Sequence, residues 1–340
     1  GEHGLPLMGG GDWNDGMNAV GIGGSGESVW LGWFLYSILH SFIQICRQMD
    51  DPTESRHMAS IAANLLANLE SKAWDGMWYL RGFFDNGHPL GSRTSDECQI
   101  DSISQSWAIL TGAANRKKAE KALESACYYL VHDESRAIRL LTPPFNQSSD
   151  NPGYIRGYYP GVRENGGQYT HAAVWLAMAA AKLKKTSEAW HLLNLLNPIR
   201  SAQDTDAANL YEKEPYVMSA DICMADPYQG RAGWSWYTGS AGWMYQAVLK
   251  SFLGISRQNG RLIIDPCIPF SWKGYQADYQ IGRTLYQITV QNKNGDGATV
   301  KSMTVDHIPA DGNSFELIDD GGRHQVVVNL SERRHKSALN

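Results

Sequence analysis

The spacing of helices and loops constrains the fold of this chain more than any other feature. Apolar residues recur at helical spacing in about seven segments. Six of these segments form pairs joined by short links, whereas long loops rich in glycine and aromatic residues separate the pairs. The segments are 27–49 with 55–69, 102–113 with 116–131, 171–183 with 187–196, and a last one over 239–252. This alternation is typical of an α/α-barrel, in which inner and outer helices alternate and the long loops open on one face.

A complete barrel of this kind has about twelve helices, more than the patterns found here. We therefore expect the chain to be the C-terminal part of a longer protein, and a shorter helical toroid is the alternative. From Arg261 onward the pattern changes to short alternating strands, which predicts an antiparallel sheet module. The sequence thus predicts a mainly α chain with two domains. These are the C-terminal part of an (α/α)6 barrel over 1–255 and a small, sandwich-like antiparallel β-domain over 256–340.

The composition excludes several classes of partner. The 340 residues carry a net charge of −5 and no basic stripe, which argues against a nucleic-acid partner. The longest apolar run, 29–46, is interrupted by Gly32 and His40, so we interpret it as a buried helix rather than a membrane segment. The five cysteines are odd in number and scattered, and no Cys/His cluster has metal-ligand spacing. We expect reduced cysteines in a cytosolic protein, with no metal or cofactor.

The loop 11–16, with the sequence Gly-Asp-Trp-Asn-Asp-Gly, is the strongest candidate for chemistry. Asp12 and Asp15 flank Trp13 and Asn14, and the glycines let backbone and substrate approach closely. A carboxyl-bearing loop of this kind, placed before a buried helix, suits a catalytic acid. The alternative is an Asx-rich turn before a capped helix, which Asp, Asn and Gly favour for local reasons.

The loop 161–171 brings more polar groups to the same predicted face. It supplies Arg163, Glu164, Gln168 and His171. Taken alone, Arg163 and Glu164 would be a surface pair, and His171 a satisfied first-turn residue. Because these residues lie on the predicted loop face, a functional role is the alternative to these structural interpretations.

The last long loop predicts an anion site. Thr238 is a candidate N-cap, and Gly239 leaves the amides of the first helical turn uncovered at the positive end of the helix dipole. Tight helix packing through Gly242 is the alternative. Aromatic residues in loops add flat faces on which sugar rings stack, and they are Trp13, Trp78, Tyr154, Tyr158, Tyr159, Trp234 and Trp236. An anion site on the same face as a carboxylic acid and aromatic platforms suggests sugar phosphate chemistry.

Several motifs resemble glycoside hydrolase family 94, the inverting β-glucoside phosphorylases. They stand in the expected order at residues 4–8, 11–17, 26–30, 100–107, 163–171 and 236–243. The segment 163–171, which ends in Tyr-Thr-His, is most similar to the phosphorylase-like domain of cyclic β-1,2-glucan synthases.

The resemblance implies the barrel and the β-domain, and it implies a role for each matching residue. Asp15 would be the general acid. Trp13 and Asn14 would hold the donor sugar, with Tyr158, Arg163, Glu164 and Gln168 also binding substrate, the first three on the acceptor side. His171, Thr238 and Gly239 would bind phosphate. Further family contacts come from segments before the position of Gly1, so the resemblance implies an incomplete active site in this chain; family members often form homodimers.

The implied reaction is phosphorolysis of a β-linked gluco-oligosaccharide with inversion, giving α-glucose 1-phosphate from inorganic phosphate. One acid suffices, because phosphate is already a nucleophile. We expect Asp15 to be protonated, favoured by burial beside Trp13 and by the charge of bound phosphate. An inverting hydrolase that uses Glu164 or Asp221 as base is the first alternative. A glycan-binding or chain-length-control segment and a purely structural toroid are the others.

Overall fold

The computed structural model of the chain describes residues 1–236, 239–293 and 295–332. It divides into two compact units. The first comprises residues 1–179 and 192–241, and the second comprises residues 180–191 and the chain from Gly242 onward. The division predicted between residues 255 and 256 stays a prediction, since the second unit also takes in helical residues before that point.

Helical pairs dominate the chain up to Leu195, as predicted. The helices are α1 (Val29–Gln48), α2 (Pro52–Lys72), α3 (Ser102–Leu110), α4 (Arg116–Leu130), α5 (Thr170–Lys182) and α6 (Thr186–Leu195). Side chains cap the first four: Ser28 accepts from the amide of Leu31, and Asp51, Asp101 and Asn115 cap α2, α3 and α4 in the same way. The local caps and the apolar period therefore account for where these helices begin.

The long loop predicted between the segments 187–196 and 239–252 is wrong at its start. Two short helices, α7 (Pro198–Ser201) and α8 (Thr205–Tyr211), follow α6. Asn197 and Asp204 cap them. A helix α9 (Gly239–Gln246) continues into a π-helical turn over Ala247–Phe252, close to the predicted limits. The short helices lack the long apolar period on which the prediction relied.

Two-residue strands connect the loops of the first unit to its helices. They are β1 (Glu27–Ser28), β2 (Gly82–Phe83), β3 (Pro89–Leu90), β4 (Ile100–Asp101), β5 (Val131–His132), β6 (Ala137–Ile138), β7 (Leu141–Thr142), β8 (Gln168–Tyr169) and β9 (Asp221–Ile222). Strands β1, β4 and β8 immediately precede α1, α3 and α5. They pair antiparallel with β2, β7 and β9 respectively. The start of each of these three helices is thereby tied to a distant loop.

Helix α1 packs against α2 and α3, and α3 packs against α4. Trp33 is fully buried in this core and meets the ring of Tyr79 edge to face at 5.2 Å. Gly32 permits the close approach of α1 and α2, because a Cβ there would lie 2.8 Å from a methyl carbon of Leu69. The predicted (α/α)6 closure is not confirmed by this arrangement, which establishes helix pairs and small sheets.

Helix α1 is long and apolar enough to cross a membrane by length and composition alone, a test that core helices also pass. One of its sides is buried in the core through Val29, Trp33 and Leu39, whereas Phe42 and Met49 are exposed. The predicted buried helix is therefore buried on one side only. All five cysteines are free, and Cys46, Cys98 and Cys267 are buried.

The second unit contains two sheets that share one core. Its strands are β10 (Ile255–Gln258), β11 (Arg261–Ile264), β12 (Gly274–Ile281), β13 (Thr284–Gln291), β14 (Gly295–Val305), β15 (Ile308–Pro309), β16 (Ser314–Glu316) and β17 (Arg323–Glu332). The sheets have the orders β10-β11-β16 and β12-β13-β17-β14-β15. Leu262 of the first sheet and Ile288 and Val326 of the second lie in the same apolar cluster. This is a sandwich-like packing.

The predicted antiparallel character is wrong for one strand pair. Strand β17 runs parallel to β13, with Ile288 opposite Val326, and antiparallel to β14. Neighbouring hairpins such as β12–β13 are antiparallel because short turns join them. Strand β17 instead reaches β13 after the excursion through β14 to β16, so local turn signals do not determine its direction.

We expect Trp33→Ala to lower the free energy of unfolding by about 3–5 kcal/mol, because it removes a fully buried indole and leaves a cavity. Urea titration of the full-length protein, followed by far-UV circular dichroism, measures this. Tyr128→Ala is the matched control, since that aromatic side chain lies on α4 with 80% of its surface exposed. Its expected change is below about 1.5 kcal/mol. Equal losses in the two variants would contradict the described core.

Candidate active site

The loop 11–16 is anchored from inside and presents Asp15 outward. Asp15 begins a single 3-10 turn, Asp15–Met17, which Asn14 caps by accepting from the amide of Gly16 at 3.1 Å. Gly11 has φ 127°, and a Cβ there would lie 3.2 Å from the Cα of Asp15. Asn14 and Gly16 are buried, whereas Asp15 is exposed. The local geometry therefore requires glycine at position 11 and leaves the carboxyl of Asp15 accessible.

The expected burial of Asp15 beside Trp13 is wrong. The buried side of the turn is occupied by Asn14, Gly16 and Met17, so the intervening side chain at position 15 points away from them. Asp15 hydrogen-bonds to Tyr154. Burial, and to a lesser extent this hydrogen bond, raises the pKa of Tyr154 to about 12. Asp15 thus lies beside the loop that contains Tyr154 rather than inside the core.

Trp13 joins this loop to helix α5. Its indole lies edge to face against Tyr169 at 5.3 Å and His171 at 5.6 Å, and is tilted against Trp175 at 5.6 Å. Its Nε1 donates to Nδ1 of His171 at 3.4 Å. Burial lowers the pKa of His171 to about 4, so the ring is neutral at physiological pH. Because Nδ1 accepts, the ring hydrogen belongs on Nε2.

Tryptophans from three helices extend this aromatic contact. Trp30 of α1, Trp107 of α3 and Trp175 of α5 lie within 5.2–6.4 Å of one another, ring centre to ring centre. Trp13 joins them through Trp175. This cluster, which we call the tryptophan cluster, places the starts of α1, α3 and α5 side by side beneath the loop 11–16.

Arg163 lies between two aromatic rings. Its guanidinium carbon is 5.4 Å from the ring centre of Tyr158 and 5.2 Å from that of Trp234, distances at which a cation is attracted to a π face. Its Nε is 3.5 Å from Oε2 of Glu164. Trp234 is 61% exposed. The structure therefore brings together Tyr158, Arg163 and Glu164 and adds Trp234.

Arg163 influences two buried carboxyl groups of the site, and Asp15 influences one of them. Burial raises the pKa of Glu164; the Arg163 guanidinium opposes the rise and the charge of Asp15 adds to it. Burial likewise raises the pKa of Asp221, while an amide bond from Trp234 and the charge of Arg163 oppose it. Arg163 is thus the cation that Glu164 and Asp221 share, and Asp15 lies close enough to Glu164 for their charges to repel.

Gln168 braces the loop instead of facing the site. It is buried, its Oε1 accepts from the amide of Ile138 at 2.8 Å, and its Nε2 donates to Thr170 at 3.1 Å. Asn165, which the sequence reasoning missed, has a similar role: it accepts from the amide of Phe145 and donates to the carbonyls of Phe145 and Tyr158. This geometry does not support the predicted substrate contact of Gln168. A buried amide within a glycine-rich loop is the signal that identifies both as braces.

A buried ion cluster was also missed. Arg81 binds Asp12 and lies 3.3 Å from Asp101, and all three side chains are at most 1% exposed. The sequence contains a signal for this ion cluster, because Arg81 is the one charged residue within the apolar stretch 79–84 and Asp101 lies at a helix start. Asp12 was grouped with the polar residues of its loop, yet its side chain faces inward.

The predicted anion site is described only in part. Thr238 lies outside the described residues. Gly239 is the first residue of α9, and a Cβ there would meet no described atom within 4 Å. The same is true of Gly242, so the alternative of tight helix packing is not found in the part of the chain that the structure describes. Among the described residues, no three or more His, Cys, Asp or Glu side chains are grouped so that they could hold a metal ion.

Comparison with known proteins identifies the family. The glycosyl hydrolase 94 superfamily catalytic-domain model matches residues 1–254. The chain is 44% identical over 307 residues to cyclic beta-(1,2)-glucan synthase NdvB of Rhizobium meliloti strain 1021, covering 89% of this chain and 11% of that protein. It is 32% identical over 332 residues to solabiose phosphorylase of Paenibacillus borealis, covering 97% and 43%. For N,N'-diacetylchitobiose phosphorylase of Vibrio furnissii the identity is 30% over 323 residues, covering 94% and 39%.

The chain therefore spans less than half the length of each of these relatives. The family match covers the loop 11–16, the loop 161–171 and the start of α9, as the motifs indicated. The chain belongs to the glycosyl hydrolase 94 superfamily.

Proposed function

We propose that this chain supplies the acid and acceptor side of an inverting glycoside phosphorylase site that acts on β-linked gluco-oligosaccharides. The observation that carries the proposal is the outward-facing carboxyl of Asp15, which hydrogen-bonds to Tyr154 and lies within electrostatic reach of Glu164. The identity to a cyclic β-1,2-glucan synthase supports β-1,2-glucan as the substrate. The named activities of the other two relatives support phosphorolysis.

In the proposed reaction Asp15 gives its proton to the glycosidic oxygen as the bond from that oxygen to C1 breaks. An oxygen of inorganic phosphate attacks C1 from the opposite face, so the β-glucoside becomes α-glucose 1-phosphate. The shortened oligosaccharide leaves with the proton. No second carboxylate is required, since water need not be activated. An exposed position suits Asp15, because the acid must meet the substrate directly.

The surrounding residues divide into three proposed groups. Trp13 contacts the donor sugar through its ring. The Oδ1 of Asn14 is engaged as the cap, so only its Nδ2, which is buried and has no described partner, could donate a hydrogen bond to the sugar. Tyr158, Arg163 and Glu164 bind the acceptor sugar, with aromatic faces for the ring and charged groups for the hydroxyls. Phosphate binds to His171, Thr238 and Gly239. A neutral His171 serves as a hydrogen-bond donor there rather than as a cation.

The complete site belongs to the full-length protein. We infer that further helices close an (α/α)6 barrel over this chain and complete the donor and phosphate contacts. The division into domains at residues 255/256 and a homodimer remain predictions. The unpaired cysteines fit a cytosolic location or the cytosolic side of a membrane-bound synthase.

The dependence on phosphate tests the reaction. We expect the full-length protein to release α-glucose 1-phosphate from β-1,2-gluco-oligosaccharides only when orthophosphate is present, with β-1,4-linked oligosaccharides as the comparison. Free glucose released without phosphate would make the protein a hydrolase, with Glu164 or Asp221 as candidate base. Binding of oligosaccharide without any product would indicate a glycan-binding or chain-length-control segment.

We expect Asp15→Asn to lower the turnover number for phosphorolysis by about 10²–10⁴, the usual contribution of a general acid. The initial rate of α-glucose 1-phosphate release in the full-length protein measures this. Asp278→Asn is the control, because that carboxylate is exposed on strand β12, in the other compact unit. A rate for Asp15→Asn close to that of the control would refute the assignment.

His171→Asn is expected to raise the KM for phosphate about tenfold, through the loss of one hydrogen bond to a charged ligand. Because the pKa of His171 is lowered to about 4, the ring stays neutral from pH 5.5 to 7.5. The ratio of the variant's KM to the wild-type KM should therefore be constant over that range, although phosphate itself titrates. A ratio that grows as the pH falls through 6.5 would show that a charged imidazolium binds phosphate instead.

A further inference from the structure

The carboxylate of Asp12 is fully engaged inside the protein. Arg81 donates from Nη1 to Oδ2 and from Nη2 to Oδ1, both at 2.6 Å. The hydroxyl of Ser28 donates to Oδ2 at 2.6 Å, and the backbone amide of Asn14 donates to Oδ1 at 3.0 Å. The side chains of Asp12 and Arg81 have no exposed surface. Asp12 therefore cannot contact substrate or activate water, although it stands three residues before Asp15.

Arg81 continues the connection to two helix starts. Its Nε lies 3.3 Å from Oδ2 of Asp101, whose Oδ1 caps α3 by accepting from the amide of Ile103 at 2.9 Å. The carbonyl of Arg81 accepts from the amide of Val29, the first residue of α1, at 3.1 Å. Ser28, which binds Asp12, is the N-cap of α1. One guanidinium thus links the loop 11–16 to the starts of α1 and α3.

The charges in this cluster are not balanced, because two carboxylates share one cation. Burial opposes the ionisation of Asp12, but the paired guanidinium and the hydrogen bonds from Ser28 and Asn14 together outweigh burial and lower the pKa of Asp12. Burial raises the pKa of Asp101 to about 6, with Arg81 opposing the rise. Asp12 is therefore the favoured partner of Arg81. Its bidentate bond has the geometry that restricts a carboxylate most strongly.

We propose that Asp12, through Arg81, is a positioning residue that sets the place of the Asp15 carboxyl relative to the substrate; this inference rests on the proposed function. The bond from the amide of Asn14 to Asp12 restrains the backbone directly before Asp15. Other described restraints on the loop are the 3.4 Å bond from Trp13 to His171, the cap by Asn14 and the hydrogen bond between Asp15 and Tyr154. None of these is an ion pair. Asp12 thus supplies the only ion pair described for residues 11–16.

The decisive experiment compares two donors that differ in their need for an acid. In a gluco-oligosaccharide the departing sugar is a poor leaving group and needs the proton of Asp15. In β-glucosyl fluoride the leaving group is fluoride, which needs much less assistance. In the full-length protein, Asp12→Asn keeps hydrogen-bonding capacity at position 12 but removes its charge. We expect its kcat for oligosaccharide phosphorolysis to fall about 10–100-fold, as for a displaced catalytic group, with its kcat for β-glucosyl fluoride within about threefold of wild type.

Asp75→Asn is the matched control. Asp75 is also a buried carboxylate: it accepts from the hydroxyl of Ser92 and the amide of Arg93 at 2.7 Å and pairs with the Arg93 side chain, but it holds the segment 75–93. The Asp75→Asn variant should change neither the oligosaccharide activity nor the fluoride activity by more than about threefold. Asp101→Asn provides a second variant that leaves the bidentate bond between Arg81 and Asp12 intact. It should retain more oligosaccharide activity than Asp12→Asn, with the fluoride activity unchanged.

The outcomes separate the two proposals. If Asp12→Asn loses both activities equally, or no more than Asp75→Asn does, the positioning role is overturned and the proposed reaction stands. If Asp15→Asn itself phosphorolyses oligosaccharides at the wild-type rate, the proposed function fails, whatever Asp12→Asn does. A loss confined to the oligosaccharide in both Asp12→Asn and Asp15→Asn supports the inference.

Discussion

The junction between loop and helix is the constraint on which the first unit depends. Helices α1, α3 and α5 each begin directly after a two-residue strand whose partner lies far away in the sequence. Strands this short have little stability of their own, so they persist because the packed helices behind them hold both partners in register. The functional side chains are consequently carried at the ends of rigid elements. A site built in this way tolerates less displacement than one built on free loop tips.

The tryptophan cluster also affects the charge state of His171. Trp30, Trp107 and Trp175 meet where three helices begin, and Trp13 lies against Trp175 and the ring of His171. Apolar rings around an imidazole disfavour its charged form, which explains why burial is the cause of the lowered pKa of His171. The same residues therefore fix the loop, align the helices and keep the histidine neutral. A neutral ring is compatible with the proposed role of His171, in which it would bind phosphate by hydrogen bonding alone.

The helices could be predicted because the apolar period recurs along α1 to α6 and cap residues mark the starts of α1 to α4. Strand β17 could not, since its parallel partner is selected by packing across the sheet and no turn joins the two strands. Among the site residues, the grouping of Arg163 and Glu164 followed from their shared loop, and the family resemblance added Tyr158. The substrate contact of Gln168 stays a prediction: its residue type allows either a sugar contact or a structural brace, and only the fold shows that both ends of its amide are hydrogen-bonded within the protein. Asp12, Arg81 and Asp101 are far apart in sequence, so their pairing depends on tertiary structure.

The two aspartates of the loop 11–16 show how environment assigns different tasks to one residue type. Asp12 is buried and held ionised by Arg81, so it can neither donate a proton nor exchange partners. Asp15 is exposed, hydrogen-bonds to Tyr154 and lies within electrostatic reach of Glu164. Within four residues the loop thus has one carboxylate that is fixed by an ion pair, Asp12, and one that is accessible, Asp15. In the proposed reaction, the buried Asp12 of this loop would determine where the exposed Asp15 meets the glycosidic oxygen.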